Sequence, residues 1–203
     1  MPTGYKNMKK IIIIGCGGLA KIVADILREN NQFRIEGFID TALGNKSYEG
    51  IKVIGTDNDL PGILKSGITS AAVGIGSINL ETNTARVGKF ERIRDLGFDM
   101  PNIIQNGAYI SSTARLGKGN IIVGNCYIGP MVSIGSGTIM HPFTSIEHDS
   151  IIGDYIHFSQ GAKVAGDVKI GKGSFIGMGA AVIQGMQVPE NTFVKSGGVY
   201  FER

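Results

Sequence analysis

All three histidines of this 203-residue chain fall within one seventeen-residue stretch, at His141, His148 and His157. An imidazole titrates near neutral pH and is the commonest side chain for moving protons in catalysis. His148 is followed directly by the carboxylate of Asp149, whereas the other two histidines have no acidic neighbour in sequence. His148 is therefore the strongest candidate in the sequence for a catalytic role.

A glycine-rich turn near the start of the chain is the second candidate. Gly15-x-Gly17-x-x-Ala20 lies between an apolar strand and a helix, and it matches the alanine form of the dinucleotide-binding pattern. Gly17 and Gly18 would let the backbone approach a pyrophosphate at the N-terminus of the helix. Asp40 ends the next strand about twenty residues on, where a carboxylate could hold a ribose hydroxyl or a base edge. The alternative is a tight turn needed only for packing.

Alternating strands and helices surround that turn. Strands are predicted over 10–14, 34–39 and 71–75, and helices over 19–30 and from about 82 to 96. Such alternation favours a small parallel sheet with helices on its faces, a Rossmann-like α/β domain over residues 9–98. About a hundred residues supply one mononucleotide half of that fold, which suits a nucleotide sugar better than NAD. Residues 1–8 are predicted to be a disordered leader.

A six-residue repeat governs residues 99–203. Large apolar residues occupy every sixth position from Ile110 to Val194, fifteen positions in all. The residue two places earlier is usually small or hydroxylated, as at Ser150, and glycine often follows the large residue, as at Gly129. A period of six fits a triangular coil of three short strands and about eighteen residues. The sequence therefore predicts a left-handed parallel β-helix of about five coils, with a glycine-rich β-sandwich as the alternative.

The repeat also predicts where the histidines lie. Ile146 and Ile152 hold the inward position, so His148 is expected to point outward on a face or at an edge. The spacings of seven and nine residues are expected to place the three histidines on different faces, whereas metal ligands stacked on one face would be about eighteen residues apart. No metal is therefore expected, and a site like that of hexapeptide-repeat carbonic anhydrases is kept as an alternative.

Composition excludes several function classes. The formal net charge is +3, and no lysine and arginine cluster marks a nucleic-acid surface. The apolar run 11–14 is too short for a signal or membrane segment, so a cytoplasmic protein that does not contact membranes is expected. Cys16 and Cys126 lie far apart and form no CxxC pair, which argues against a disulfide framework.

Motifs in both halves resemble one known family. The Gly-x-Gly-Gly turn precedes a β-helix that carries three further motifs: Glu147-His148-Asp149, then Gly153-Asp154 with His157, then Gly161-Ala162 to Gly166. This order resembles the hexapeptide-repeat sugar O- and N-acetyltransferases. That family includes sialic-acid O-acetyltransferase-like proteins and enzymes that acetylate 4-amino sugars on nucleotide carriers. The resemblance covers nearly the whole chain, from residue 9 to residue 198.

The resemblance implies the substrates and the catalytic residues. It implies acetyl-CoA as co-substrate, a nucleotide-linked amino sugar as acceptor, and a homotrimer with the coenzyme between adjacent β-helices. His148 would be the general base, Asp149 would raise its basicity, and His157 would contact acetyl-CoA. Direct attack of the sugar amine on the thioester, without an acyl-enzyme, is the reaction expected.

The resemblance also implies binding segments. The backbone around Gly166, Met178 and Ser196 would line the coenzyme groove. The nucleotide would be held by three segments of the α/β domain: Gly17 with Gly18, Asp40 with Thr41, and Gly76.

Two positions depart from the family pattern. Leu19, which also belongs to the predicted nucleotide site, follows the two glycines where the family usually has His, and this removes a polar contact to the nucleotide. His141 stands seven residues before His148, where many members have Asn facing the acceptor amine. The expected function is N-acetylation of a nucleotide-linked sugar, of the 4-amino-4,6-dideoxy type. An O-acetyltransferase of a sialic-acid-type sugar, which Leu19 mildly favours, and a non-catalytic nucleotide sensor or scaffold remain open.

Overall fold

The computed structural model describes residues 8–41 and 47–201, and these residues divide into two compact units. The α/β unit comprises the residues up to 76 together with 88–103, and the β-helix unit comprises 77–87 together with the chain from 104 onward. This division differs from the predicted contiguous one at 98/99, because residues 77–87 group with the β-helix. Residues 1–7 of the predicted leader lie outside the described residues.

The α/β unit is built on a five-stranded sheet in the order β3-β4-β2-β1-β5. Its strands are β1 (Lys9–Ile14), β2 (Phe33–Ile39), β3 (Ser47–Tyr48), β4 (Ile51–Gly55) and β5 (Ser70–Val73). All pairings are parallel except that of β3, a short antiparallel edge strand on β4. The four isoleucines 11–14 of the central β1 are fully buried, as expected for a parallel strand covered on both faces.

Three helices accompany the strands: α1 (Gly18–Asn30), α2 (Leu60–Lys65) and α3 (Leu80–Asp95). α1 buries one apolar face against the sheet and ends at Asn31, whose left-handed backbone lets its N–H bond to the carbonyl of Leu27. The approach of α1 to the sheet requires Gly74, because a Cβ there would lie 2.7 Å from the Cα of Ala20. No helix among the described residues is long and apolar enough to cross a membrane.

The predicted strands and helices of this unit are present. The two-residue strand β3 was not predicted, and neither were β4 and α2. β4 has only five residues, and its side chains alternate between exposed and half-buried. α2 has only six residues and contains Pro61 and Gly62, which are poor helix formers. Neither element therefore carries a periodic signal long enough to be recognised in the sequence.

The strands of the β-helix have two residues each and wind around one core, and the first of them begins at residue 103, where the α/β unit ends. They are β6 (Ile103–Ile104), β7 (Tyr109–Ile110), β8 (Arg115–Leu116), β9 (Ile121–Ile122), β10 (Tyr127–Ile128), β11 (Ser133–Ile134), β12 (Ile139–Met140), β13 (Ser145–Ile146), β14 (Ile151–Ile152), β15 (His157–Phe158), β16 (Lys163–Val164), β17 (Lys169–Ile170), β18 (Phe175–Ile176), β19 (Ala181–Val182), β20 (Gln187–Val188), β21 (Phe193–Val194) and β22 (Val199–Tyr200). The predicted left-handed parallel β-helix is confirmed, and the β-sandwich alternative is excluded.

Every third strand belongs to the same parallel sheet, so the coil has three faces. The first face contains β6, β9, β12, β15, β18 and β21; the second contains β7, β10, β13, β16, β19 and β22; the third contains β8, β11, β14, β17 and β20. The first corner joins the first face to the second, the second corner joins the second to the third, and the third corner joins the third to the first. Residues eighteen apart therefore stack in one column.

The core follows the predicted register. Every inward position from Ile122 to Val194 is buried, whereas the first two inward positions, Ile110 and Leu116, are half-buried. Buried hydroxyls are satisfied across coils, since the Oγ of Ser150 donates to the carbonyl of Ala165 at 3.1 Å. The coils stack so closely that a Cβ on Gly171 would lie 2.4 Å from the backbone nitrogen of the coil above.

Two buried polar side chains join residues 77–87 to the third corner through hydrogen bonds. Arg86, only 2% exposed, donates from Nη1 to the carbonyl of Gly137 at 2.6 Å and from Nη2 to that of Tyr155 at 2.9 Å. Asn83 donates to the carbonyl of Gly173 at 2.9 Å, one coil further on, and accepts from Arg86. Burial lowers the pKa of Arg86 to about 10. Neither residue was predicted from the sequence.

Candidate active site

The α/β unit contains a cavity of about 300 Å³ at the carboxyl ends of its parallel strands. β1 is the point where the sheet order reverses, since β2 lies on one side of it and β5 on the other. Open α/β sheets bind their ligands in the crevice at such a switch point. All six residues of this unit that were predicted to bind the nucleotide line the cavity: Gly17, Gly18, Leu19, Asp40, Thr41 and Gly76.

The glycines around the cavity serve different purposes. Gly15 has a φ of +91°, a backbone conformation that side chains rarely adopt, so the turn itself requires it. Gly17 has a φ of −88°, and a Cβ on Gly17 or Gly18 would meet no atom of the described residues within 4 Å. Neither the backbone nor the packing of residues 8–41 and 47–201 therefore explains these two glycines. They leave the wall of the cavity open at the N-terminus of α1, where backbone N–H groups favour an anion.

Asp40 braces the glycine turn as well as lining the cavity. One oxygen of its carboxylate accepts a hydrogen bond from the backbone N–H of Cys16 at 2.9 Å. Leu19, which departs from the family pattern, is 7% exposed and presents an apolar side chain toward Gly76. The cavity thus has a polar wall at Asp40 and an apolar wall at Leu19.

Two further charged residues line the cavity and were missed by the sequence analysis. Asp57 follows β4, and its carboxylate forms an ion pair and hydrogen bond with the ammonium of Lys89 on α3. Burial lowers the pKa of Lys89, the charge of Arg92 lowers it further, and the carboxylate of Asp40 opposes both effects. Recognising β4 in the sequence would have placed Asp57 at the carboxyl edge of the sheet.

In the β-helix unit, His148 lies at the second corner and points outward, as predicted. Its side chain is 52% exposed, and its Nδ1 lies 2.8 Å from Oδ2 of Asp149. Asp149 adopts a left-handed backbone conformation with φ 59°, which short polar side chains tolerate, and its N–H bonds to the carbonyl of Pro130. The turn of the corner thus holds the carboxylate beside the imidazole.

Gly166 lies directly against the imidazole of His148, one coil further along the same corner. A Cβ at Gly166 would lie 2.6 Å from both Nε2 and Cε1 of the ring. Only a glycine leaves room for the ring in this orientation, because a methyl group would overlap it. Gly166 was predicted to line the coenzyme groove, and the structure brings it together with His148 and Asp149.

The other two histidines have their rings in contact, with His157 in β15 on the first face and His141 directly after β12 of the same face. The ring of His157 stacks on Phe175 with centroids 4.5 Å apart and contacts the ring of His141 at 5.1 Å. The expectation that all three histidines occupy different faces is therefore wrong for this pair. His141 and His157 are sixteen positions apart, which is close to the eighteen residues of one coil. The spacings considered in the sequence, seven from His141 to His148 and nine from His148 to His157, do not reveal this.

Burial changes the pKa of these two histidines and limits their contact with ligands. Burial lowers the pKa of His157 well below its usual value, with smaller contributions from the charges of His141 and Arg86, and it also lowers the pKa of His141. His157 is 2% exposed, so its imidazole offers almost no surface to acetyl-CoA in the single chain. Among the described residues, no group of three or more His, Cys, Asp or Glu side chains could hold a metal ion.

Met178 and Ser196, predicted to line the coenzyme groove, lie at the first corner on successive coils. The N–H of Gly197 bonds to the carbonyl of Met178 at 2.8 Å, and the Met178 side chain is 57% exposed. His148 lies at the second corner, so one chain does not bring it together with Met178 and Ser196.

Cys126 is unsuited to nucleophilic catalysis. Its side chain is buried, and its thiol donates to the carbonyl of His141 at 3.2 Å. Burial raises the pKa of Cys126 to about 11, so the thiolate is scarce at neutral pH.

Known proteins resemble this chain along nearly its whole length. Residues 10–86 match the PglD N-terminal domain family. The chain is 27% identical over 199 residues to GDP-perosamine N-acetyltransferase of Escherichia coli, covering 92% of this chain and 82% of the relative. PerB from Caulobacter crescentus, solved in complex with CoA and GDP-perosamine, shares 30% identity at a TM-score of 0.88, covering 97% of this chain and 90% of that one. The acetyltransferase domain of PglB from Neisseria gonorrhoeae, in complex with acetyl coenzyme A, shares 27% identity at a TM-score of 0.85, covering 96% and 92%.

Proposed function

The chain belongs to the hexapeptide-repeat acetyltransferases of nucleotide-linked amino sugars, and we propose that it transfers the acetyl group of acetyl-CoA to the amino group of such a sugar. The proposed acceptor is of the 4-amino-4,6-dideoxy type. The observation that carries the proposal is the His148–Asp149 pair, held outward at the second corner with Gly166 against the ring. This arrangement presents one imidazole nitrogen for proton transfer and ties the other to a carboxylate.

His148 acts as the general base in the proposed reaction. When Asp149 accepts a hydrogen bond from Nδ1–H, the lone pair of the neutral ring lies on Nε2. Nε2 removes a proton from the amine while the amine nitrogen attacks the thioester carbonyl, and Asp149 stabilises the imidazolium that forms. As the C–S bond breaks, the imidazolium returns the proton to the departing thiolate of CoA. The products are the N-acetylated sugar and free CoA.

Direct transfer is favoured over a covalent acyl-enzyme. An amine is a competent nucleophile once it loses a proton, so the reaction needs no protein nucleophile. The buried, hydrogen-bonded thiol of Cys126 supports this choice, because its raised pKa leaves it protonated.

The cavity of the α/β unit is the proposed site for the nucleotide carrier. Gly17 and Gly18 would accommodate the diphosphate at the N-terminus of α1, and Asp40 and Thr41 would contact the ribose. The support for this assignment is that, in the part of the chain that the structure describes, no packing contact accounts for Gly17 and Gly18.

A homotrimer is proposed because the predicted site residues divide between two corners. A second copy of the chain could bring its first corner, with Met178 and Ser196, to the His148 of the first copy. His157 and His141 of the second copy would then lie behind that corner. Exposed large apolar side chains on the coils of the β-helix also support association. They are Tyr109, Met131, Phe143, Ile151, Met178, Ile183, Phe193, Val199 and Phe201.

The test is a free-thiol assay with acetyl-CoA and a panel of UDP-, GDP- and dTDP-linked 4-amino sugars, together with free sialic acid. Thiol release with one amino-sugar nucleotide, lost in His148→Ala, is the expected result. Asp167 also adopts a left-handed conformation at the second corner, and its backbone N–H bonds to the carbonyl of His148 at 2.9 Å. Asp167→Asn keeps this backbone bond and changes only the carboxylate, so it is a matched control that should keep its activity. Release with sialic acid alone would favour O-acetylation instead. No release with any acceptor, and no binding of acetyl-CoA, would leave the sensor or scaffold alternative.

A further inference from the structure

The ion pair of Asp57 and Lys89 has no part in the proposed acetyl transfer, yet it lines the cavity proposed for the nucleotide. The two side chains are 17% and 33% exposed, so each keeps a polar surface open to a ligand. Both residues belong to the α/β unit, Asp57 in the turn after β4 and Lys89 in the second half of α3.

The order of the strands indicates which part of a nucleotide would reach this pair. The glycine turn follows β1, Asp40 follows the neighbouring β2, and Asp57 follows β4, which is next in the sheet. In nucleotide-binding α/β folds the pyrophosphate lies at the turn after the first strand, and the ribose lies at the acidic end of the second. Asp57 follows Asp40 along the same edge of the sheet, so it lies where the base would be expected.

The pair is held in place by neighbouring bonds. The guanidinium of Arg92, one turn along α3 from Lys89, donates to the main-chain carbonyl of Asp57 at 3.3 Å. Asp59 closes the same turn by accepting from the backbone N–H of Thr56 at 2.7 Å. A carboxylate and an ammonium fixed side by side form an acceptor and donor array before any ligand arrives.

We propose that Asp57 and Lys89 read the Watson–Crick edge of a guanine base. The two oxygens of the Asp57 carboxylate accept from the guanine N1–H and the exocyclic N2–H, and the ammonium of Lys89 donates to O6. This inference rests on the proposed function, because it names the base of the carrier that brings the amino sugar to the enzyme.

Other bases satisfy this array less completely. Uracil and thymine offer one N–H between two carbonyl oxygens, so one of those oxygens would face the carboxylate. Adenine and cytosine offer one amino group beside a ring nitrogen that only accepts. In each case a buried polar group loses its partner, and such losses produce strong discrimination between ligands.

Calorimetric titration of the full chain with GDP, UDP, dTDP and ADP tests the proposal. We expect the wild-type chain to bind GDP more tightly than the other three. In Asp57→Asn the side-chain amide replaces one acceptor by a donor, which opposes the guanine N2–H but matches the uracil O2. GDP affinity should therefore fall by about tenfold to a hundredfold, and the preference should move toward UDP. Asp95→Asn, at an exposed position at the end of α3 and outside the cavity, is the matched control and should keep the wild-type preference.

Lys89→Met separates base recognition from phosphate binding. If Lys89 donates to O6, this variant should weaken GDP binding by about tenfold and change ADP binding little. An equal loss for all four nucleotides would show that the ammonium contacts phosphate, and it would overturn the proposal. Equal binding of the four nucleotides by the wild-type chain, or binding of none of them, would overturn it as well.

The outcomes also distinguish this inference from the proposed function. His148-dependent acetyl transfer to a sugar on a UDP carrier, with no preference for GDP, would leave the proposed function standing and overturn the guanine assignment. Guanine-selective binding without acetyl transfer to any amino sugar would do the reverse.

Discussion

The two units of the chain gather their candidate site residues in different ways. In the α/β unit, residues from the ends of three strands, predicted separately, all line one cavity. In the β-helix unit, the predicted residues divide between the second corner at His148, the first corner at Met178, and the buried first face at His157.

The difference follows from topology. Parallel strands end at the same edge of a sheet, so residues distant in sequence meet there within one chain. A β-helix instead stacks residues eighteen positions apart, and residues in different columns stay on different corners however the coil is extended. His148 meets Gly166 because they share a column, and it can meet the first corner only through another copy.

Asp149→Asn should produce the largest effect at the second corner. The amide can offer its N–H to Nδ1 and hold the ring in the wrong tautomer, so we expect kcat to fall by about 10²–10⁴-fold. Steady-state kinetics with the preferred amino-sugar nucleotide measure the effect. Asp167→Asn, with the same backbone conformation one coil away, should stay close to wild type. An equal fall of kcat in the two variants would show that the loss comes from disturbing the second corner and not from the contact between Asp149 and His148.

Arg86→Met tests the anchoring of residues 77–87 within the β-helix unit. The variant removes the buried Arg86 donor from the carbonyl of Gly137 and one of the two donors to the carbonyl of Tyr155, which keeps its bond from Asn83. We expect the free energy of unfolding to fall by about 3 kcal/mol. Chemical denaturation followed by circular dichroism measures this change. Arg115→Met, at an exposed strand position, is the control. An unchanged denaturation midpoint for Arg86→Met would contradict the anchoring role.

Gly166→Ala should disturb His148 without unfolding the coil. The added methyl group must displace the imidazole, so we expect kcat to fall by about tenfold to a hundredfold. The denaturation midpoint of Gly166→Ala should stay close to that of the wild type, because the methyl group displaces an exposed ring and not a core side chain. A fall in kcat accompanied by a fall in the midpoint would show that the substitution damages the coil itself.

The buried histidine pair should make the β-helix unit sensitive to mild acid. His141 and His157 have lowered pKa values in the folded chain, whereas in the unfolded chain they titrate near 6.5. Below about pH 6.5 the unfolded chain therefore binds more protons, and the free energy of unfolding falls as pH decreases, by up to about 1.4 kcal/mol per pH unit for each histidine. Denaturation midpoints between pH 7.5 and about pH 5.5 measure the slope. His157→Phe should flatten it, and an equal slope in that variant would contradict this assignment.

The sequence predicted most where one physical rule governs many residues. The six-residue register predicted the core from Ile122 to Val194, and the glycine turn with Asp40 predicted the cavity wall. It predicted least where the structure depends on contacts that leave no period. Arg86 bonds to backbone carbonyls, and such bonds have no sequence signature. Lys89 pairs with Asp57, which lies thirty-two residues earlier in the chain and follows β4, a strand too short to recognise in the sequence.

Mixing two inactive variants tests most directly whether acetyl transfer occurs at a site shared between copies. We expect His148→Ala to lack the base, and Met178→Glu to lack acetyl-CoA binding because a carboxylate would occupy the coenzyme groove. After the two variants are unfolded and refolded together in equal amounts, acetyl transfer to the preferred amino-sugar nucleotide should recover to about a quarter of the wild-type rate. This fraction follows because one interface in four pairs an intact His148 with an intact Met178. No recovery, with mixed trimers demonstrated by native mass spectrometry, would contradict the shared site.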